Sequence, residues 1–375
     1  MTDKIYIHDL RSLSNQGLEI AGKKQAQLSP AFSKKNAVFG GYIPEEWESK
    51  LEAFNQQKLF KRTDRTVKLL LSLAETLKEK RNLGKMTLQI ASSRGATQKW
   101  EEEHSSFSRD GLASPSSSPV TSLGNIASNL GQFLNINGHI SENSMTCSSA
   151  GMSLMNGIAW LKSGMCTEVL IGSSEACLST FTQAQMQALG ILSEYQHEDF
   201  PCKALNLHKE KNSMVLGEAA TLMLCSTEEK GAIASIESWG WAMDHIKHPS
   251  AIDSEGRALQ ESMKMALTSY NKPIDLVIAH APGTILGDKA EVHAIQKVLG
   301  NTIPIISNKT VYGHTFSSSF LLNIMSLFGI NESIQSSSKV FGQINQPNAP
   351  VKSALINAIG FGGQAVSAVV ELSEH

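Results

Sequence analysis

Two stretches of this 375-residue chain follow one plan, and that plan restricts the fold more than any other feature. In each, an apolar strand stops at a chemically reactive residue and a helix begins a few positions later. In the first, residues 144–146 lead into Cys147, and Ser148-Ser149-Ala150-Gly151 opens a helix running to about Lys162, stopped by Gly164. In the second, the strand 275–279 ends at His280, and a Pro/Gly turn leads to a helix placed from Asp288. Asp288 and Glu291 stand at N-cap and N3 spacing, which reads as a capping box.

The same alternation runs through the rest of the sequence. Residues 4–8, 86–91, 168–172, 303–307, 354–359 and 365–372 read as strands. Residues 44–81 read as one charged helical stretch, with Leu69, Leu70, Leu73 and Leu77 at helical spacing. The Ser/Pro-rich segment 105–122 reads as an ordered loop before a helix at 123–133, because core-like sequence resumes on both sides. A further helix follows Gly313-His314. Strands alternating with helices predict an α/β fold with a buried, mainly parallel sheet. The echo between the two halves places units at 1–226 and 227–375.

Composition narrows the function classes. The 33 Lys+Arg against 35 Asp+Glu leave a net charge of −2, which offers no global basic field for nucleic acid and no polybasic membrane patch. Charged residues make up 18% of the chain, below the roughly 25% usual for soluble domains, and this points to surface covered by a second subunit. The first residues lack a basic region followed by a long apolar stretch, so no secretory signal is expected. The most apolar segment, 316–330, is too short to span a bilayer. Five scattered cysteines without a CxxC pair argue against a disulfide framework or structural zinc and for a reducing cytoplasm.

Cys147 is placed to be a nucleophile. A thiol at a helix N-terminus feels the positive end of the macrodipole, which favours thiolate, and free N–H groups there can hold an oxyanion. A lone cysteine reads equally as an inert packing thiol. His280, at the carboxyl end of a buried strand beside a Gly-containing loop, lies where open α/β sheets place their sites, although a structural histidine suits that place as well. His314 follows Lys309-Thr310-Val311-Tyr312-Gly313 and opens a helix. Taken together, a Cys, two His and a Lys at strand ends and helix starts form a set suited to thiol acyl transfer. His245 and His248 have metal-ligand spacing but no third partner, and Cys166, Cys177, Cys202 and Cys225 read as packing thiols.

These residues carry a family resemblance. Met145-Thr146-Cys147-Ser148-Ser149-Ala150-Gly151 resembles the active-site cysteine segment of β-ketoacyl-acyl-carrier-protein synthases. The stretch from His280 to Glu291 resembles that family's first histidine loop. Lys309 through Gly313-His314 resembles its lysine and second-histidine motif, and Asn357-Ala358-Ile359-Gly360-Phe361-Gly362-Gly363 its C-terminal glycine-rich loop. The ordered matches run from about residue 110 to 372; the first hundred residues match only loosely.

The resemblance implies a thiolase-like fold, two βαβαβαββ halves in five αβαβα layers, and an obligate dimer. It implies that Cys147 takes an acyl group from a carrier protein, while His280 and His314 promote decarboxylation of a malonyl-carrier unit and stabilise the enolate. It further implies an oxyanion hole from the N–H groups of Cys147 and Phe361, with Phe361 as gate, and Lys309 paired with Glu291. Thr284 and Gly362 are implied on the substrate side. No resident cofactor or metal is implied, since phosphopantetheine arrives on the acyl carrier protein.

Four departures stand out. Ala281-Pro282 replace a usual Gly-Thr, Ser317-Ser318-Ser319-Phe320 replace a Gly-Ala-Ala-Gly run, and Asn323 aligns with a frequent glutamate. The segment from His208 to Ser213 replaces an Asp-x-x-Arg-Asp-Gly pattern. Some divergent synthases of this family build aryl polyene or flexirubin-like pigments, which the Ala281-Pro282 loop fits, and the low charge and unusual loops suit a heterodimer with a second ketosynthase-like subunit. The alternative is a chain-length-factor-like, non-catalytic partner; such partners typically lose the cysteine that this chain keeps. A thiolase or carrier-independent enzyme would use a Cys-His-Cys or Cys-His-Asn set, which His314 argues against.

Overall fold

Ala, Leu, Met and Cys run through Ala219–Ser226 so continuously that the strand is buried along its whole length. A strand with no solvated face has to lie in a sheet covered on both sides. The computed structural model, which describes residues 4–23, 28–78, 84–248, 250–335 and 341–373, shows that arrangement twice. The first half contributes β1 (Ile5–Ser14), β2 (Thr87–Ala91), β3 (Ile140–Asn143), β4 (Glu168–Glu175) and β5 (Ala219–Ser226). Helices α1 (Arg65–Lys78), α2 (Asn125–Leu134) and α3 (Ser149–Lys162) occupy its first three connections. The second half contributes β6 (Ala234–Met243), β7 (Leu276–Ile278), β8 (Ile305–Ser307), β9 (Ser353–Ile359) and β10 (Gln364–Leu372). There α4 (Arg257–Thr268), α5 (Ile285–Leu299) and α6 (Ser319–Leu327) take the same places.

Strand pairing shows a duplication that the side chains barely record. The order is β3-β2-β4-β5-β1 in one half and β8-β7-β9-β10-β6 in the other, so both read third, second, fourth, fifth, first. In each half the second strand runs parallel to the third and fourth, and the fifth runs antiparallel to the fourth and first. The two first strands join the halves antiparallel, pairing Ile5 with Ile236 and Ile7 with Ala234. The sheet is therefore mixed, which corrects the mainly parallel expectation. The final two strands of the second half are joined by the short turn after Ile359, too short for a crossover, and a parallel pairing would need one.

The hydrophobic clusters define five layers. In the middle, Leu154 and Ile158 of α3 and Phe320, Leu321 and Ile324 of α6 pack with Val169, Ile171 and Met223 on one side and Ile278, Ile356 and Ala368 on the other. Leu70, Leu73, Ile126 and Leu130 of α1 and α2 cover the outer face of the first half against Leu88, Leu170 and Leu222. Leu259, Met263, Val292 and Ile295 of α4 and α5 cover the second against Val277, Leu355 and Val369. This is the duplicated, thiolase-like αβαβα plan. Among the described residues no helix is long and apolar enough to cross a membrane.

Several local expectations are corrected. The stretch 44–81 holds two helices, Glu45–Ala53 and Arg65–Lys78, and its residues 79–81 lie outside the described ones. The break is built in by Asp64, whose carboxylate accepts the Thr66 N–H as an N-cap does and also the Lys99 N–H. The segment 105–122 is largely helical: it ends Thr97–Asp110 and includes Ser117–Thr121. β1 extends to Ser14, and residues 144–146 form a turn after β3 instead of a strand. The capping box is also absent. Thr284 caps α5 by accepting the Gly287 N–H, and Asp288 and Glu291 turn inward instead.

Close approach of α4 to β6 rests on Gly240, where an added Cβ would run into the Ser262 carbonyl and the Ala266 nitrogen. Gly240→Ala is expected to destabilise the fold by about 1–3 kcal/mol, read as a lower midpoint in urea unfolding with an unchanged slope.

Candidate active site

Cys147 sits on a tight elbow between β3 and α3. Thr146 adopts φ 51°, a left-handed conformation that costs a β-branched residue on the order of 1–2 kcal/mol. Hydrogen bonds hold it there: Thr146 Oγ1 donates to the Phe361 carbonyl at 3.1 Å, and the Met145 N–H donates to Ser149 Oγ at 2.7 Å. The glycine-rich turn of the other half abuts this elbow so closely that a Cβ on Gly360 would run into Thr146 Oγ1 and lie 3.0 Å from the Cys147 nitrogen. The contact that positions the nucleophile therefore joins the two halves.

His280 follows β7, and its backbone is fixed from α5. The Glu291 carboxylate accepts the N–H of His280 at 2.9 Å and of Ala281 at 2.6 Å. Ala281 has φ 22°, so the two bonds stabilise a positive-φ conformation that glycine would adopt more readily. His314 is placed by Gly313, at φ 71°, and by its N–H donating to the Val215 carbonyl at 2.6 Å. Its ring stacks on Phe316, with centroids 5.2 Å apart, and meets the His280 ring edge-on at 5.1 Å.

The structure brings Cys147, His280 and His314 together. Their sulfur and ring nitrogens lie within 4.8 Å of one another, and Cys147 Sγ is 3.3 Å from His314 Nε2. Ser319 Oγ lies 3.3 Å from His314 Nδ1 and accepts the Thr315 N–H at 3.2 Å, so its own proton is available for Nδ1. A Ser319 proton on Nδ1 leaves the His314 proton on Nε2, facing the sulfur; Thr315 Oγ1, 3.1 Å from Ser319 Oγ, competes for the same proton. His280 Nδ1 has no hydrogen-bond partner among the described residues. The three side chains form the floor of a mostly apolar cavity walled by Met186, Ile191, Met214 and Phe316 and by Ile252 and Leu259. Thr284 and Phe361 line it too, with Phe361 half-exposed at the mouth; Gly362 does not line it.

Burial dominates the electrostatics. It pushes the Cys147 thiol up to about 12, reinforced by the buried Glu175 carboxylate and only partly opposed by Lys309. Cys147 lies before the first residue of α3, and burial there acts against the thiolate that a helix start was expected to favour. Burial also lowers His314 to about 3 and His280 well below the ordinary imidazole range, with the nearby Lys309 charge acting in the same direction. Both rings are neutral at pH 7, the state that can donate Nε2–H.

Lys309 departs from its expected pairing. It is 1% exposed, and among the described residues its Nζ has no hydrogen-bond partner and no carboxylate lies within ion-pair distance. Glu291 instead accepts backbone N–H groups. Burial lowers Lys309 to about 8, against 10.5 for a free lysine, with Glu291 opposing.

Sequence reasoning passed over Thr146, Phe316 and the cavity-wall methionines. A β-branched residue before the cysteine and an aromatic two residues after the histidine were the available signals. Of the other candidates, His248 Nδ1 bonds Ser250 Oγ at 3.2 Å, and Cys177, Cys202 and Cys225 are buried free thiols, with Cys166 partly exposed.

Comparison with known proteins agrees with this geometry. The family model for the β-ketoacyl synthase N-terminal domain matches residues 14–230, and that for the C-terminal domain matches 233–330. The chain belongs to the β-ketoacyl synthase family. Among curated members, the 3-oxoacyl-[acyl-carrier-protein] synthase 1 of Haemophilus influenzae is 23% identical over 59% of this chain and 58% of its own length. The synthase 2 of Vibrio cholerae is 25% identical over 66% of this chain and 64% of its own length. The matched stretches thus span about three-fifths of those relatives.

Solved synthase folds superpose over the whole chain. A type II polyketide ketosynthase assembly in complex with its acyl-carrier protein matches with TM-score 0.79 and 18% identity, covering 100% of both chains. The ishigamide ketosynthase/chain length factor matches with TM-score 0.79 and 17% identity, also over 100% of both chains.

A buried ammonium without a partner is a stability cost of roughly 3 kcal/mol at pH 7, from 1.36 kcal/mol per unit between 10.5 and about 8. Between those two values the unfolded chain binds more protons than the folded one, so the cost fades as pH rises through that window. Lys309→Met is expected to raise the thermal midpoint by a few degrees at pH 7 and by less at pH 10. An unchanged or lower midpoint at pH 7 would show that the charge is compensated.

Proposed function

We propose that this chain is a β-ketoacyl-acyl-carrier-protein synthase, performing decarboxylative Claisen condensation of malonyl-carrier protein with an acyl group held on Cys147. The observation that carries the reading is the 3.3 Å contact of Cys147 Sγ with His314 Nε2, beside His280, at the floor of an apolar cavity. In the first half-reaction the sulfur attacks the acyl thioester, the carrier's thiol leaves, and the Cys147 proton passes to it. The Cys147 and Phe361 N–H groups are assigned to the oxyanion, at the elbow where the two halves meet.

In the second half-reaction, neutral His280 and His314 donate Nε2–H to the malonyl thioester oxygen as the bond to carbon dioxide breaks. The electron pair left behind forms the enolate. Its carbon attacks the Cys147 thioester, a new carbon–carbon bond forms, and Cys147 departs as thiolate and takes up one proton. The high resting value of the thiol makes that protonation favourable and leaves the site ready for another acyl group. No resident cofactor is needed. Lys309 contributes a positive potential near both histidines.

The proposed partners are an acyl carrier protein and a second ketosynthase-like subunit. A neighbouring structure holds a ketosynthase with its acyl-carrier protein, and another holds a ketosynthase from Xenorhabdus doucetiae with its chain length factor, TM-score 0.73 at 18% identity. The low charged fraction and the unusual loops suit a heterodimer, and the Ala281-Pro282 loop fits a pigment- or polyketide-type pathway. The chain-length-factor-like reading is disfavoured by the retained and histidine-bonded Cys147.

Incubation with acyl-carrier protein is expected to add one acyl mass at Cys147, and Cys147→Ala to abolish both the adduct and condensation. Cys147→Gln should still decarboxylate malonyl-carrier protein. If no acyl mass appears even with the partner subunit present, the non-catalytic reading takes its place. Because His314 is lowered to about 3 and His280 well below its ordinary range, decarboxylation should be flat from pH 5 to 7. A limb near pH 6.5, where a free imidazole titrates, would contradict the neutral-histidine assignment.

A further inference from the structure

One residue of the N-terminal hairpin is buried against the pattern of its strand. In Gly17–Ile20, which pairs with β1, Leu18 and Ile20 stay half-buried while Glu19 is 5% exposed. The groups that act on its carboxyl are two hydroxyls and no cation, and burial pushes it up to about 7. A carboxyl taken out of water without a charge partner works against the fold, so its place calls for a reason.

Its contacts supply one. Glu19 Oε1 accepts the Tyr312 hydroxyl at 2.8 Å, and Oε2 accepts that of Ser12, its cross-strand partner on β1, at 3.1 Å. Tyr312 is itself buried and stands just before Gly313-His314. At the tip of the same hairpin, Asn15 Nδ2 donates to the Val311 carbonyl at 2.8 Å. The hairpin thus grips two successive residues of the Lys309–Tyr312 turn, one by its backbone and one by its side chain.

The grip is passed on to His314 because the turn has no slack. A Cβ on Gly41 would lie 3.2 Å from the Tyr312 carbonyl oxygen, and one on Gly217 would run into it. At Gly313 a Cβ would lie 2.9 Å from the Val215 carbonyl oxygen. The His314 N–H donates to that same carbonyl, and its own carbonyl accepts the Gly217 N–H. The turn is therefore wedged between the hairpin on one side and residues 215–217 on the other.

We propose that Glu19 is a positioning residue for the condensing site: acting through the Tyr312 hydroxyl, it holds the turn that sets His314 Nε2 against Cys147 Sγ. Neither Glu19 nor Tyr312 lines the cavity, so their effect on the sulfur passes through His314. This rests on His314 acting at Cys147, as the synthase reading assigns, and its test begins without substrate.

The rate of iodoacetamide alkylation at Cys147 in the full chain at pH 8, followed by mass spectrometry, reads the support that His314 gives the sulfur. Tyr312→Phe and Glu19→Leu are expected to slow it by about tenfold. Glu19→Gln keeps an acceptor for the hydroxyl and should retain the wild-type rate. Added to His314→Ala, Tyr312→Phe should slow alkylation no further, because both changes act on one contact. In the Cys147→Gln background, Tyr312→Phe should lower kcat for malonyl-carrier decarboxylation by about tenfold and leave KM unchanged.

A wild-type alkylation rate in Tyr312→Phe or Glu19→Leu would overturn the proposal. So would a loss in Glu19→Gln, or an additive loss on top of His314→Ala, since either marks a general weakening of the fold. Should Glu19→Leu not fold, the near-isosteric Tyr312→Phe and Glu19→Gln carry the same criteria. Absence of decarboxylation in Cys147→Gln itself would remove the synthase reading and leave the alkylation criteria standing.

Discussion

Everything at the site depends on two central helices sharing the space between two sheet halves. Gly151 on α3 lies against both neighbours: an added Cβ would sit 3.0 Å from Val366 of β10 and 3.5 Å from Phe320 of α6. Because α3 and α6 pack against each other in the central layer, the segments leading into them are brought together. Cys147 precedes α3 and His314 precedes α6. The 3.3 Å contact between sulfur and imidazole follows from helix packing in the core, more than from any local motif.

Topology also corrects the internal echo. Read along the sequence, Cys147 and His280 appear as counterparts, each ending a strand. In the fold, Cys147 lies after the third strand of its half and before the third helix. His314 holds that same place in the second half, after β8 and before α6, while His280 follows the second strand. The nucleophile and its bonded histidine are thus symmetry-related positions of a duplicated unit that have acquired different chemistry. His280 comes in from one strand away, across the parallel pairing of β7 with β8.

Burial explains how the same residues combine low resting reactivity with a defined chemistry. A desolvated thiol and two desolvated imidazoles stay neutral, so the site holds its donors without standing charges to repel a malonyl carboxylate. The one persistent charge question is Lys309, which lies among backbone caps and neutral thiols because Glu291 and Asp288 are committed to the 280–288 loop. That commitment is itself a consequence of the loop's backbone. Ala281 at positive φ needs two N–H acceptors to hold it, and a carboxylate on the adjacent helix supplies both.

Much of this was legible in the residue pattern, and the limits have physical causes. Alternating strands and helices, and the small residues after Cys147, predict an α/β fold with a reactive cysteine at a strand–helix junction, because periodicity and turn chemistry act over a few residues. The motif order from Cys147 to Gly363 likewise identifies the histidines and the glycine-rich turn. The mixed pairing of the sheet, the break at Asp64 and the true cap at Thr284 were not legible, since each is decided by a hydrogen bond that could equally have been made another way. The pairing of Lys309 with Glu291 and the ionisation of Cys147 depended on which groups burial leaves without water or a partner. The sequence by itself determined which chemical groups are present and at which strand ends. The tertiary structure alone decided their distances, their protonation and which of them stand unpaired, because desolvation and packing belong to the assembled core and to no single segment.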